Sequence, residues 1–378
     1  MNETQPGPAL ASPDVTRCAV ASDRPAQAAL FDRCFGRGDG GEVLPWRYDA
    51  GPHGASLARV VPREGSPTSA EDADMALVAS YACSPRIVVT REGPVTVGQT
   101  GDVMTLPSQR GKGLFSALDR AVMEDARAAG WPVVFGLPNS ASAHIFTRDL
   151  GWLEVGRVRP WTFVLAADAG ARAERLRVSR LAAALVPWAY WRGTMRVGHM
   201  KDQFFAKANV VAIARFKPEV DAVTAEAAAQ GAWTIQRDHR YLNWRFCDAP
   251  SGRFKAHGVY EPSGKMRGYA VVQLPARGDA VGYIADVVAL DRVAFAAAME
   301  AGLSHLRKAG ASVARAYAFD GSRWQADLVW SGFRAPKAAD SKAVIARVLD
   351  ERHPIAAVAR DAARWSFTDA DRDAELIT

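Results

Sequence analysis

Thr105-Leu106-Pro107-Ser108-Gln109-Arg110-Gly111-Lys112-Gly113-Leu114-Phe115 joins the end of a β-branched, apolar run to the start of a helix-forming one through two glycines. Upstream, residues 95–106 are rich in Val, Thr and Met with no interior Pro, which predicts a strand. Downstream, Leu114, Leu118, Val122 and Ala126 keep helical spacing up to Gly130, with Pro132 just beyond, which predicts a helix capped at Gly130. Glycine lets the backbone approach an anion, and the unpaired N–H groups of a helix's first turn point at it with the favourable end of the dipole. Arg110 and Lys112 add charge. The stretch reads as a phosphate cradle, against the plainer reading of a strand-to-helix turn that holds nothing.

Spacing excludes two familiar phosphate loops. A Walker A loop needs Gly five residues before its Gly-Lys pair and Ser or Thr after it, where this chain has Leu106 and Gly113. A dinucleotide fingerprint needs a third glycine where Ser116 stands.

Composition sets limits. The chain's 378 residues predict two to three domains, and a hydrophobic share of 49% is ample for packed cores. The net charge of +6 comes without a basic run interleaved with aromatics, so it points to small anionic ligands and away from nucleic acid. Cys18, Cys34, Cys83 and Cys247 show neither paired-cysteine spacing nor a partnering His cluster, so no disulfide framework or metal site is expected, and a reduced cytoplasmic setting fits. Met1 is not followed by the basic and apolar regions of a secretory signal. Residues 181–191, the longest apolar segment, are about half of what a membrane helix needs, so no integral membrane segment is expected; flanked by Arg177, Arg180 and Arg192, they read as a packed helix.

An internal repeat organises the rest. Leu44-Pro45-Trp46-Arg47-Tyr48 is echoed by Leu242-Asn243-Trp244-Arg245-Phe246, and Asp102-Val103-Met104-Thr105-Leu106 by Asp286-Val287-Val288-Ala289-Leu290. Both strands lead into helices that end at Ala-Gly, at Gly130 and Gly310, and Leu150-Gly151-Trp152 is matched by Ser331-Gly332-Phe333. Where the first copy has its glycines, the second has Asp291-Arg292-Val293-Ala294-Phe295. The expected architecture is α/β, two similar units each with a mixed central sheet flanked by helices: residues 15–165 with the cradle and 206–350 without it. A disordered N-terminus over 1–14, a helical linker over 166–205 and a packing tail over 351–378 complete it.

These residues resemble the GCN5-related N-acyltransferases, which bind acyl-coenzyme A through a strand, a glycine-containing pyrophosphate loop and the following helix. Arg110 and Gly113 match the first fixed positions of that family's loop; Phe115 stands where Gly or Ala is usual, so its ring must point elsewhere or the cofactor shift. The family's later motif looks like Asn139 followed by Gly151-Trp152. More loosely, Trp46-Arg47-Tyr48, residues 237–246 and residues 365–371 are similar to a tandem subgroup of bacterial sugar N-acyltransferases, which act on the amine of a nucleotide-linked deoxyamino sugar in surface polysaccharide synthesis.

The resemblance implies acetyl-coenzyme A or another acyl-coenzyme A as cofactor and a small-molecule amine as acceptor, with a nucleotide-sugar as the candidate that the tandem subgroup suggests. Backbone N–H groups of residues 111–116, with Leu114, Phe115 and Ser116 in the helix's first turn, would hold the pyrophosphate. Val103 and Thr105 would pair with the pantetheine arm, and Asn139 with one of its amides unless it only caps a turn. Met104 or a neighbour would offer an N–H to the thioester oxygen, a donor worth about 3 kcal/mol. Direct transfer also needs a base for the amine. His144 and Asp102 are the catalytic candidates, with His53 behind them; His has the best unperturbed pKa for the task, and Asp102 has a counterpart in Asp286 that favours a structural role. The tyrosine acid usual in the family is replaced by Thr147. Trp46, Tyr48 and Arg245 are candidate acceptor contacts, weighed against core packing and salt bridges. Amino acid, peptide or antibiotic amines are alternative acceptors, and an acyl-coenzyme A sensor or structural subunit is the non-enzyme alternative.

Overall fold

The computed structural model describes residues 15–65, 72–165, 209–335 and 341–372. To residue 165 the elements are β1 (Arg17–Cys18), α1 (Arg24–Phe35), α2 (Gly40–Tyr48), β2 (Leu57–Pro62), β3 (Leu77–Thr90), β4 (Gly93–Thr105), α3 (Leu114–Ala128), β5 (Val133–Gly136), α4 (Ser140–Asp149) and β6 (Leu153–Val164). From residue 209 come β7 (Asn209–Ile213), α5 (Glu219–Ala228), β8 (Thr234–Ile235), α6 (His239–Leu242), β9 (Phe254–Tyr260), β10 (Met266–Gln273), β11 (Val281–Ala289), α7 (Arg292–Lys308), β12 (Val313–Phe319), α8 (Arg323–Trp330), β13 (Lys342–Val348) and α9 (Ile355–Ala359). The fold is α/β, with a large mixed sheet flanked by helices. The expected N-terminal segment 1–14 and linker 166–205 lie outside the described residues.

Two compact units form, and neither is contiguous. One takes Met1–Val88, Pro94–Gly156 and Lys342–Asp361; the other takes Val89–Gly93, Arg157–Ser341 and Ala362–Thr378. The first unit's strands run β1-β2-β3-β4-β5-β13, with β4 and β5 parallel and β5 and β13 antiparallel. The second unit's run β7-β9-β10-β11-β12-β6, antiparallel except for the parallel β11 and β12. Each unit's run of strands therefore has the same closing order: a parallel strand reached through a helix, then an antiparallel last strand.

The last strands are exchanged. β13 follows α8 in the chain yet pairs with β5, from Ile345 opposite Gly136 to Val348 opposite Val133, and Ile345 is fully buried in the first core. β6 follows α4 and pairs with β12, from Val158 opposite Phe319 to Val164 opposite Val313. The units thus differ from the contiguous ranges 15–165 and 206–350, because a strand's edge takes whichever partner the register allows.

α3 buries the stripe that its sequence spacing sets out: Leu114, Leu118, Val122 and Ala126 all lie in the first core. Burying each large apolar side chain contributes about 1.5–3 kcal/mol over leaving it exposed, and an Arg59–Asp125 ion pair at 2.6 Å ties the helix to β2. The four cysteines are free thiols. Among the described residues no helix is long and apolar enough to cross a membrane, and no cluster of His, Cys, Asp and Glu is built to hold a metal.

Candidate active site

β4 and β5 run side by side for only three residue pairs, the last being Thr100 with Gly136. Beyond them β4 continues through Thr105 without that neighbour, so the two strands open toward the cradle. Asp102 lies in this stretch with φ of 52°, the only non-glycine residue among those described with a positive φ. Aspartate tolerates that region better than most residues, and such a turn bends a strand.

Past β4, Leu106 donates its N–H to Val78, a short 3₁₀ turn spans Pro107–Gln109, and Ser108 anchors it by donating to the buried Asp72 at 2.6 Å. Gly111 and Gly113 then take φ of 78° and 75°, a region open to glycine at no steric cost. Gly113 is the cap of α3, and its carbonyl accepts from Ala117. Among the described residues, the backbone N–H groups of residues 111–116 meet no acceptor in the fold. Consecutive unpaired donors at a helix N-terminus, with exposed Arg110 and Lys112 beside them, have the chemistry that an anion cradle needs. A Cβ on Gly111 would meet nothing within 4 Å, so the loop is open to a ligand. The donor set fits the pyrophosphate of coenzyme A.

Phe115 turns into the core: its ring packs edge-on to Phe146 at 5.0 Å, and Phe146 in turn packs on Trp152 at 5.0 Å. The bulky residue in the loop pattern therefore leaves the cradle clear. The Met104 side chain is fully buried, and Val103 and Thr105 beside it are half-buried. Burial pushes the nearby Cys34 thiol up, opposed by Arg110 and by the Thr105 backbone amide.

Asn139 caps α4, its side-chain oxygen accepting from the Ser142 N–H at 2.9 Å. His144 is exposed on the same helix. Thr147 spends its hydroxyl on the Ala143 carbonyl at 3.1 Å and is no replacement for a tyrosine acid. His53 accepts the Ile87 N–H through Nδ1 at 3.1 Å, and burial lowers its pKa to about 3, so it stays neutral and serves its loop.

Asp102 is engaged. Arg47 donates to both of its oxygens, the Tyr48 hydroxyl donates to Oδ2 at 2.9 Å, and the ion pair is nearly sealed, at 5% and 7% side-chain exposure. Burial, with Asp102 next, raises the Tyr48 phenol well above its usual range. Trp46 is buried on the same helix. Arg245 belongs to the second unit, where it is buried and donates to the carbonyls of Asp369 and Ala370 at 3.3 Å. Trp46, Tyr48 and Arg245 therefore make internal contacts rather than line an open surface.

One buried group escapes the sequence reading. Asp119, on the inner face of α3, accepts from Trp152 Nε1 at 3.2 Å and from Arg347 of β13 at 2.9 Å, with the Tyr81 hydroxyl at 3.4 Å. Desolvation raises its pKa to about 6 despite Arg347. The folded state holds this proton more tightly than the unfolded chain, so the stability it contributes is present below about pH 4 and lost as pH rises through 6. Asp119→Asn removes that dependence. In urea titrations, the variant's stability relative to wild type is expected to rise by about 3 kcal/mol between pH 4 and pH 7; a flat difference would place the pKa near its ordinary value.

Residues 16–154 match the family model of the acetyltransferase (GNAT) domain. Three solved structures are similar to the chain. A conserved protein of Enterococcus faecalis described as a probable N-acyltransferase shares 16% identity over 89% of this chain and 72% of its own, with a TM-score of 0.59. A GCN5-related N-acetyltransferase from Kribbella flavida gives 16%, 89% and 71% with a TM-score of 0.54, and one from Anabaena variabilis 12%, 89% and 73% with 0.59. At these identities the likeness is one of fold. No curated protein matches the chain by sequence.

Proposed function

We propose that the chain, whose residues 16–154 carry a GNAT-type acetyltransferase domain, transfers an acyl group from acyl-coenzyme A to the primary amine of a small molecule, and that this acceptor is a nucleotide-linked amino sugar. The observation that carries the first part is the run of unpaired N–H groups at residues 111–116, set where β4 and β5 part. Acyl-coenzyme A supplies the activated thioester. Residues 111–116 would hold its pyrophosphate, and the backbone of Val103 and Thr105 would run beside its arm, with Met104 between them. Asn139 keeps its amide nitrogen for the same arm while its oxygen caps α4.

His144, exposed on α4, takes the proton from the attacking amine. Asp102 positions rather than reacts, since its carboxylate is bound by Arg47 and Tyr48. The sugar-nucleotide acceptor is supported by the resemblance of Trp46-Arg47-Tyr48 and of the terminal segment, and by the chain's +6 charge. The repeated strand order of the two units supports a tandem origin in which the second copy has lost its cradle.

Thiol release from acetyl-coenzyme A, followed across uridine and thymidine diphosphate amino sugars, free amino sugars and amino acids, tests the reading. Turnover is expected with a nucleotide-linked amine and not with the free sugar; turnover with amino acids alone would overturn the acceptor. His144→Gln is expected to lower kcat by about 100-fold at neutral pH with KM for acetyl-coenzyme A unchanged. An unchanged kcat would remove His144 from the chemistry.

A further inference from the structure

The second unit holds a cavity of 540 Å³ whose wall includes Arg91, Arg323 and Arg364. Its carboxylates are already answered. Asp286 is bound by Arg237 and by the Tyr269 and Thr368 hydroxyls, Asp291 caps α7 at Ala294 and pairs with Arg267 at 2.8 Å, and Asp327 pairs with Arg292. The same bonds neutralise Arg237 and Arg292. Arg91, Arg323 and Arg364 are exposed and, among the described residues, have no carboxylate partner; Arg323 donates only to the neutral Gln230, at 2.9 Å. Three uncompensated guanidinium groups in the lining of one cavity favour an anionic ligand there, and guanidinium is the side chain suited to phosphate.

The surroundings narrow the ligand. β11 and β12 part after Tyr283 and Arg315, as β4 and β5 do in the first unit. Here the turn Asp369–Asp371 bridges them beyond that point: Thr368 donates to Asp286 at 2.8 Å, Arg237 of the adjoining loop holds Asp371 at 2.8 Å, and the Asp369 carboxylate takes the Tyr317 backbone N–H. Arg372 covers the Tyr317 ring at 4.5 Å. The chain's own terminal segment thus occupies the wedge where a pantetheine arm would lie. Asp291, by capping α7 with its side chain, also takes up a first-turn donor that a pyrophosphate would use. What remains open is anion-seeking, has Phe295, Trp324 and Trp365 in its lining, and falls within the size range of small-molecule sites.

We infer that this cavity is a second ligand site, distinct from the acyl-donor cradle, that takes a small phosphate-bearing molecule of the nucleoside diphosphate class and excludes acyl-coenzyme A. Calorimetric titration of the full chain with ADP and with pyrophosphate tests it in three proteins: wild type, Gly113→Trp, which closes the first unit's cradle, and the charge reversal Arg323→Glu with Arg364→Glu. ADP is expected to bind Gly113→Trp more tightly than pyrophosphate does, and to bind the charge-reversed protein at least ten-fold more weakly. Acetyl-coenzyme A binding should be the same in that protein as in wild type, which shows that it is folded and keeps failure here separate from failure of the acyl-transfer reading. Arg91→Gln, a milder change at an exposed position, should weaken ADP alone in the same direction. Loss of ADP binding in Gly113→Trp would assign the anion to the first unit. Equal affinity of ADP and pyrophosphate would overturn the nucleotide class, and ADP binding indifferent to all three arginines would overturn the site.

Discussion

Gly113→Trp is expected to weaken acetyl-coenzyme A binding by about 1,000-fold in a calorimetric titration while leaving the chain folded. Gly113 holds φ of 75° at the head of α3, a conformation that costs a residue with a Cβ about 1–2 kcal/mol. That cost is small beside what the indole does to the site. The cradle acts through adjacent N–H groups, and hydrogen bonds from such donors to a charged acceptor are worth about 1.5–3 kcal/mol each. Covering or tilting two of them removes about 3–6 kcal/mol, a loss centred near three powers of ten. The fold should survive, because the nearest core residues of α3, Leu114 and Leu118, face away from the loop into the first core. Equal binding to wild type and variant would mean that the donor does not use this loop, and the assignment of residues 111–116 would fail with it.

The strand, the glycine turn and the helix were legible because each is set locally. Leu114, Leu118, Val122 and Ala126 repeat every four residues, and all four are buried along α3. Gly111 and Gly113 take the left-handed conformation that their position between strand and helix suggests. The kinship of Asp102 and Asp286 was also legible, since both carboxylates answer buried arginines. Which arginine answers each was not. Alignment of Trp46-Arg47 with Trp244-Arg245 suggests Arg245 for Asp286, yet Arg237 holds it, and Arg245 turns to the carbonyls of residues 369 and 370. The difference arises from the terminal turn, which brings Asp371 and two carbonyls into the second unit's wedge.

Asp119 was invisible for the same reason. Its partners Tyr81, Trp152 and Arg347 lie 38, 33 and 228 residues away, and nothing in α3 announces them. The exchange of β6 and β13 was likewise beyond sequence periodicity. A short apolar strand such as Lys342–Val348, with Ala343 to Ala346 all buried, announces a place in a core but not which edge it joins. Phe115 shows the opposite case: a departure from the loop pattern resolves once Phe146 is seen to receive the ring.

Replacing Asp102 separates a positioning role from a catalytic one. Its carboxylate neutralises Arg47 in a nearly sealed contact, so removing it leaves a buried guanidinium without that countercharge, a change that costs about 3–5 kcal/mol. Asp102→Ala should bear that cost, the lost bond from Tyr48, and the strain of a Cβ residue at φ of 52°. Asp102→Gly relieves the strain alone. Asp102→Asn keeps an acceptor for Tyr48 and a side chain tolerant of the left-handed region, and loses the charge and one of the two oxygens to which Arg47 donates. Urea denaturation should therefore rank stability as wild type, then Asn, then Gly, then Ala. The chemistry discriminates further: a general base loses kcat on becoming an amide even when the protein is stable, whereas a positioning residue loses stability and leaves kcat per folded molecule within a few-fold. Asp102 sits where β4 bends away from β5, so its ion pair fixes the shape of the opening rather than entering it. The Asn variant is expected to be less stable and nearly as fast; a stable but inactive Asn variant would return Asp102 to the list of bases and set His144 aside.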